Sequence, residues 1–284
     1  MLSLPKIEDP RGNLTFIESG ARGACPFEIE RVYWIYDVPA GRIRHGRALA
    51  STGEMIVAAS GSFDVHLIDI RGVKRSFHLN RGNQAVIVEP GTWREIDNFS
   101  TNSVALVLAS SLYDENEYSF DGPCASVDPH AVPPLASKMG KISHEKSTVD
   151  DAHIMQLVRH RHENGSLTVA ENCGQQPFAV RRVFYLYDVP ADTFRGGHSH
   201  HEAEEMIVAL TGSFDVVLDD GKNPKRRFTL NRPYQALYIP TGIWRTLDNF
   251  SGSSISMVLT SRRYEESDYV RDYQEFLRLT NPKS

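Results

Sequence analysis

The sequence predicts an all-β protein: two tandem jelly-roll β-barrel domains followed by a short C-terminal helix. Three observations carry this. PFEIERVYWIYDVPA at Pro26–Ala40 returns as PFAVRRVFYLYDVPA at Pro177–Ala191, 151 positions later, and the two copies align from Pro26 to Tyr118 without an insertion. A period this long marks duplicated domains rather than a solenoid, whose units run to roughly 20–50 residues. Within each copy, short runs rich in Val, Ile, Tyr and Phe are separated by Gly, Pro, Asn and Asp clusters at about the 8–12-residue spacing of a sandwich or barrel. Only YEESDYVRDYQEFLRL at the end has helical character, with Tyr269, Tyr273, Phe276 and Leu277 expected on one side.

The elements of the first copy follow in order. RVYWIYDV from Arg31 is a dense apolar run of strand length, and EMIVAAS from Glu54 is a second. SFDVHLID alternates, placing Phe63, Val65 and Leu67 on one face and Asp64 and His66 on the other. QAVIVEP and SVALVLAS complete the set, and each has a partner in the second copy. Between the copies, FDGPCASVDPHAVPPLASKMGK is rich in Pro and small residues, as a linker is. The expected division is a degenerate domain over 1–120, a linker over 121–150 and a catalytic domain over 151–284.

Composition narrows the function classes. The chain has 284 residues, of which 40% are hydrophobic and 24% charged, which excludes wholesale disorder. A formal net charge of −5 gives no global case for nucleic acid or an anionic membrane as partner. No run approaches the roughly 20 apolar residues of a membrane span, and the start lacks the apolar core of a signal peptide. Cys25, Cys124 and Cys173 stand far apart without a C-x-x-C pair. That sparse, odd count predicts a reducing compartment and a cytoplasmic protein.

The two copies diverge unevenly. Over most of their length about every second residue is shared, but from Gly41 to Gly53 only Arg44 and Gly46 match their partners, Arg195 and Gly197. The second copy reads FRGGHSHHEAEEMIVALTG where the first reads IRHGRALASTGEMIVAASG, so Arg47 and Leu49 replace His198 and His200. An isolated H-x-H is more often a solvated loop than a site. On a strand, however, residues i and i+2 share a face, so these two imidazoles would converge inside a barrel. There they can serve as metal ligands or as acid and base.

The spacing His198-x-His200, Glu205, Gly212 resembles the first motif of the cupin superfamily. Pro240-x-Gly242-x-x-Arg245-x-x-x-Asn249 resembles the second. Arg245 stands where cupins place their last metal-ligating histidine, and a cation cannot coordinate a metal. The first copy has Arg94 there and no histidine pair, so a complete cupin metal site is absent from both. Glu205 has a partner in Glu54 of the silent copy, which points to a structural role. These residues point instead to proton transfer without metal or cofactor. Arg195 and Arg245 could supply positive charge for an oxyanion or phosphate.

RVFYLYD at Arg182–Asp188, RGGHSH at Arg195–His200, GSFDVVLDDG at Gly212–Gly221, PTGIW at Pro240–Trp244 and YEESDYVRDYQEF at Tyr264–Phe276 together resemble the cupin-type sugar 3,4-oxoisomerases, WxcM-like, that act on dTDP-4-oxo-6-deoxyglucose. The resemblance implies catalysis by His198 and His200 with Tyr185 nearby. It implies substrate contacts from Arg182, Arg195, Arg245 and Trp244, no metal, and a nucleotide-linked 4-oxo-6-deoxyhexose as partner. Single-domain relatives of this kind work as homodimers, which implies an intrachain pseudo-dimer here and leaves room for a further homodimer of the whole chain. Three rival readings fit the same residues. One is a metal-dependent bicupin oxygenase or decarboxylase using His198, His200 and Glu204 or Glu205. Another is a 3,5-epimerase on the same scaffold. The last is a non-enzymatic sugar-binding bicupin. Arg42, Arg44 and Arg47 form a basic loop that could hold a regulatory nucleotide.

Overall fold

The computed structural model describes residues 1–19, 24–127, 147–172, 174 and 176–281. The central part of the expected linker (128–146) and Cys173 lie outside the described residues. Nearly all regular structure is strand, and the same topology appears twice. In the first copy a seven-stranded sheet runs, in spatial order, Leu2–Ser3, Gln84–Val88, Glu54–Ser60, Val104–Ala109, Arg31–Tyr36, Gly165–Glu171 and Val158–His162. A five-stranded sheet runs Tyr118–Ser119, Arg44–Leu49, Trp93–Asp97, Phe63–Ile68 and Lys74–Leu79. The second copy repeats both sheets with equivalent strands.

The core of each copy lies between its two sheets. Strand alternation sends Phe184, Leu186, Ile207 and Val258 from one sheet, and Phe214, Val216, Leu218 and Leu247 from the other, into one apolar cluster. The first copy packs Tyr33, Ile35, Ile56, Phe63, Val65 and Ile96 in the same way. Burial of such side chains stabilises by about 1.5–3 kcal/mol each relative to exposure. The sequence alternation of Phe63, Val65 and Leu67 against Asp64 and His66 matches the observed buried and half-buried faces.

The compact units do not follow the sequence halves. Lys6–Phe16 belongs with the second unit, where the hairpin Lys6–Ile7 and Asn13–Glu18 extends the seven-stranded sheet beside Arg182–Tyr187. Val158–Ala179 belongs with the first, its hairpin pairing with Arg31–Tyr36. Polar contacts fasten both: Thr15 Oγ1 lies 3.1 Å from Tyr187 Oη, and Asn172 Nδ2 donates to the Ile29 carbonyl at 2.9 Å. Gly12 turns the first hairpin at φ +114°, where a Cβ would strike Val189 Cγ2 at 2.7 Å. The boundaries 1–120 and 151–284 are therefore crossed by one hairpin in each direction.

The helix covers Tyr273–Thr280, shorter than its periodicity suggested. Asp272 caps it, accepting from the Glu275 amide at 2.7 Å, and Phe276 packs on Trp244 and Val270. Tyr269 lies before the cap, in a strand pairing with Ser199–His200, so it does not share the helix face expected for it.

Candidate active site

Three inward positions build the polar floor of the second copy. Glu205 precedes the core residues Ile207 and Ala209 by alternation, Arg245 precedes Leu247, and Arg182 precedes Phe184. A bulge sets the histidines. Arg195 pairs with Leu247 and His198 with Arg245, so one extra residue is inserted between them. Gly196 sits there at φ +70°, where a Cβ would meet Arg245 Nη1 at 2.1 Å. The glycine lets its carbonyl accept from Arg245 Nη1 at 3.2 Å. His198 and His200 then share the inward face.

Both imidazoles are buried, their centroids 4.9 Å apart and their planes at 86°. Tyr269 lies 5.0 Å from His198 and 4.3 Å from His200, and its hydroxyl accepts from Arg182 Nη2 at 2.9 Å. The two histidines have different neighbours. His200 Nδ1 pairs with Asp268 Oδ2 at 2.9 Å, and its Nε2 lies 3.5 Å from Glu205 Oε1. Asp268 is itself held by the amides of Glu202 and Ala203. Among the described residues no carboxylate pairs with His198 in this way. The Nε2 atoms of both rings are buried and without a hydrogen-bond partner among the described residues.

These surroundings drive the proton affinities apart. Burial, reinforced by the Arg245 charge, pushes His198 well below the ordinary imidazole value. For His200 burial acts in the same direction, but the bond to Asp268 and the nearby Glu205 carboxylate outweigh it and raise the ring. Burial would raise Glu205, yet Arg245 holds its carboxyl well below the usual carboxylate range through bonds of 2.5 and 2.8 Å. The result is a neutral imidazole beside one disposed to hold a proton. Such a split is how one site supplies both base and acid.

Not every expected residue joins this group. Tyr185 lies on the opposite face of its strand from Phe184 and Leu186, fully buried, with Tyr187 at 5.9 Å between ring centroids and a hydrogen bond to Thr15. The phenol beside the histidines is Tyr269. Trp244 faces outward under the C-terminal helix, 5.1 Å from Tyr273 and 5.5 Å from Phe276 between ring centroids. Arg195 is held 3.5 Å from Asp9 of the N-terminal segment. Arg182 and Arg245 do reach the site, through Tyr269 and Glu205. Tyr269 and Asp268 were missed by comparing the copies because their partners, Tyr118 and Glu117, preserve much of the chemistry.

The first copy closes the same space. Arg94 binds Glu54 at 2.7 and 3.2 Å, as Arg245 binds Glu205. Arg47, in the place of His198, donates to the Tyr33 hydroxyl at 2.9 Å and lies 3.6 Å from Glu54. Tyr33 in turn donates to Glu54. Arg47 is thus turned inward, and Arg44 donates to Asn164 at 3.0 Å, so two arginines of the proposed regulatory loop are already engaged.

His198, His200 and Glu205 bring ligand atoms within 4.8 Å of one another, the geometry a metal-dependent rival needs. The donor chemistry does not fit. Both Glu205 oxygens are occupied by Arg245, and that guanidinium would stand as a fixed positive charge against any dication.

The family model described as FdtA: WxcM-like, C-terminal, matches residues 1–122 and again 150–281. A TDP-4-oxo-6-deoxy-alpha-D-glucose-3,4-oxoisomerase from Aneurinibacillus thermoaerophilus is 39% identical over 112 residues, covering 39% of this chain and 80% of that protein. A 3,4-ketoisomerase structure from Helicobacter canadensis is 40% identical, with a TM-score of 0.45, covering 46% of this chain and 98% of its own. The WlaRB TDP-quinovose 3,4-ketoisomerase from Campylobacter jejuni is 38% identical, with a TM-score of 0.44, covering 46% and 99%.

Proposed function

The chain belongs to the FdtA, WxcM-like family, and from that premise we propose that it moves the keto group of a TDP-linked 4-oxo-6-deoxyhexose from C4 to C3. The observation that carries the mechanism is the pair of inward imidazoles with oppositely displaced proton affinities and unpartnered Nε2 atoms. The C4 carbonyl acidifies the C3 proton. His198, held neutral, removes it, and the electron pair of the C3–H bond becomes the C3–C4 double bond of an enediol. His200 gives its proton to O4 as that bond forms. His200 then takes the proton from O3 as the C3 carbonyl forms, and the C3–C4 pair captures at C4 a proton from His198, whose abstracted proton has exchanged with solvent in the enediol state. Both histidines end as they began, and no oxidant or reductant enters. Positioned acid–base groups of this kind typically contribute 10²–10⁴-fold.

Tyr269, oriented by Arg182, contacts a sugar hydroxyl beside the rings. Arg182 and Arg195 are the basic groups offered to substrate oxygens. Arg245 acts through Glu205, and Trp244 supports the helix. The two copies act as an intrachain pseudo-dimer with one working site, the first copy being the non-catalytic partner. No helix among the described residues is long and apolar enough to cross a membrane, and the sparse cysteines favour a cytoplasmic setting. The 3-keto product suits a following aminotransferase that makes a 3-amino-3,6-dideoxyhexose.

The test is incubation with dTDP-4-oxo-6-deoxyglucose in deuterated buffer, with NMR of the sugar ring. The expected result is a ketone at C3 with deuterium at C4. Unchanged turnover in His200→Asn would overturn the reading.

A further inference from the structure

The outer face of the first copy's five-stranded sheet carries a second cluster, far in chemistry from the sugar site. Asp64 stands directly across from Asp97 on the neighbouring strand and from His78 on the other side. One row along, His66 stands between Ser76 and Glu95. All lie on the half-buried or exposed face, opposite Val65 and Leu67.

The second copy serves as an internal control. Its equivalent carboxylates, Asp215 and Asp248, are also cross-strand neighbours, and a single cation resolves their repulsion. Arg227 donates through Nη1 to Asp215 at 2.8 Å and to Asp248 at 2.6 Å, and Thr229 donates to Asp215 at 2.6 Å. Like charges directly opposite on adjacent strands are destabilising without such a partner. The first copy keeps both carboxylates and discards the cation. Ser76 replaces Arg227, His78 replaces Thr229, and His66 replaces Val217. Asn98 still donates to Asp64, as Asn249 does to Asp215. Lys74, further along the face opposite Ile68, makes no ion pair with either aspartate among the described residues.

We propose that Asp64, His66 and Asp97, with His78 as a fourth donor, form a divalent transition-metal site of the zinc type that replaces the arginine bridge of the sister copy. The ligand atoms of Asp64, His66 and Asp97 all lie within 4.8 Å of one another. Around a tetrahedral ion with bonds of about 2.0–2.2 Å, ligand atoms stand roughly 3.3 Å apart, so modest side-chain shifts suffice. His66 is oriented for it. Its Nδ1 lies 2.8 Å from Ser76 Oγ, which can accept that ring proton and leave the Nε2 lone pair aimed at Asp97, 2.9 Å away. His78 Nδ1 lies 2.6 Å from Asp64 Oδ1, bringing the second imidazole to the same carboxylate. Two carboxylates and two imidazoles are a hard-to-borderline donor set that suits Zn²⁺ over Ca²⁺ or Mg²⁺.

Calorimetric titration of the full chain with Zn²⁺, free of histidine tags, tests this against two variants. Ser76→Arg restores the sister copy's cation, and His66→Val removes the central donor; both substitutions are already accommodated at the equivalent strand positions of the second copy. The expected result is one Zn²⁺ equivalent in the wild type that is absent from each variant, while Ca²⁺ gives no heat. Thermal unfolding of the wild type should shift upward with Zn²⁺ and that of Ser76→Arg should not. A Zn²⁺ stoichiometry unchanged by both substitutions, or no Zn²⁺ bound by the wild type, overturns the proposal.

Discussion

The two copies share a floor and differ in what stands on it. In each, a buried arginine grips a buried glutamate: Arg94 with Glu54, and Arg245 with Glu205. Over Glu54 the remaining volume is taken by Tyr33 and Arg47: the Tyr33 hydroxyl donates to Glu54 and Arg47 Nη2 donates to Tyr33, while Arg47 Nε has no hydrogen-bond partner among the described residues. Over Glu205 the equivalent residues are Phe184 and His198, which removes one hydroxyl and one guanidinium, and His200 replaces Leu49. The network is left open at two imidazole nitrogens. The difference lies in the kind of nitrogen left open: a guanidinium Nε can only donate, whereas an imidazole Nε2 can give or take a proton and so act on a substrate.

The largest break in this comparison comes from the histidines. His200→Asn, assayed for turnover with circular dichroism to confirm folding, should lose about 10²–10⁴-fold in activity, the usual worth of a positioned acid–base group. His66, a histidine of the first copy, carries no such burden.

Next come the floor pairs. Glu205→Gln and Glu54→Gln each leave a buried guanidinium without its counter-charge, and each should cost about 3–5 kcal/mol in denaturant unfolding. Only the first should also abolish activity. Glu54 adds an acid dependence. Burial would raise it, but Arg94 and Arg47 hold it at about 2 against an ordinary 4.5. Its stabilising contribution is therefore complete above pH 4.5 and lost as the pH falls towards 2, about 3 kcal/mol over that window. An acid titration of wild type against Glu54→Gln checks it.

A smaller effect sharpens the split between the imidazoles. The pH profile of kcat/KM should be bell-shaped, with its acid limb below the ordinary imidazole value, set by His198, and its alkaline limb above it, set by His200. Asp268→Asn removes the main bond that raises His200, so the alkaline limb should move to lower pH while the acid limb stays. The smallest contrast is between phenols: Tyr269→Phe should reduce kcat more than Tyr185→Phe, because only the former ring lies beside the histidines.

Much of this was legible in the chain itself. The repeat, the short alternating strands and the histidine pair all follow from residue types at fixed intervals, and the contrast between copies singled out the window that matters. The same contrast hid Tyr269 and Asp268, since a difference map is blind to residues both copies keep. The resemblance placed Tyr185 beside the histidines, yet alternation on its strand puts it on the face opposite Phe184 and Leu186. Strand exchange was hidden for another reason. Lys6–Ile7 and Asn13–Glu18 carry no mark of which sheet edge they will join, because ladder bonding uses backbone atoms common to every residue.

That exchange constrains how the gene can be cut. A polypeptide severed at the connector would yield a C-terminal fragment whose strand Arg182–Tyr187 has a bare flank, and an N-terminal fragment carrying the piece meant to cover it. Exposed flanks of this kind invite pairing with any available chain. The fragments should therefore aggregate when made alone and recover one another when co-expressed, so fusion of the halves acts as a built-in safeguard against mispairing.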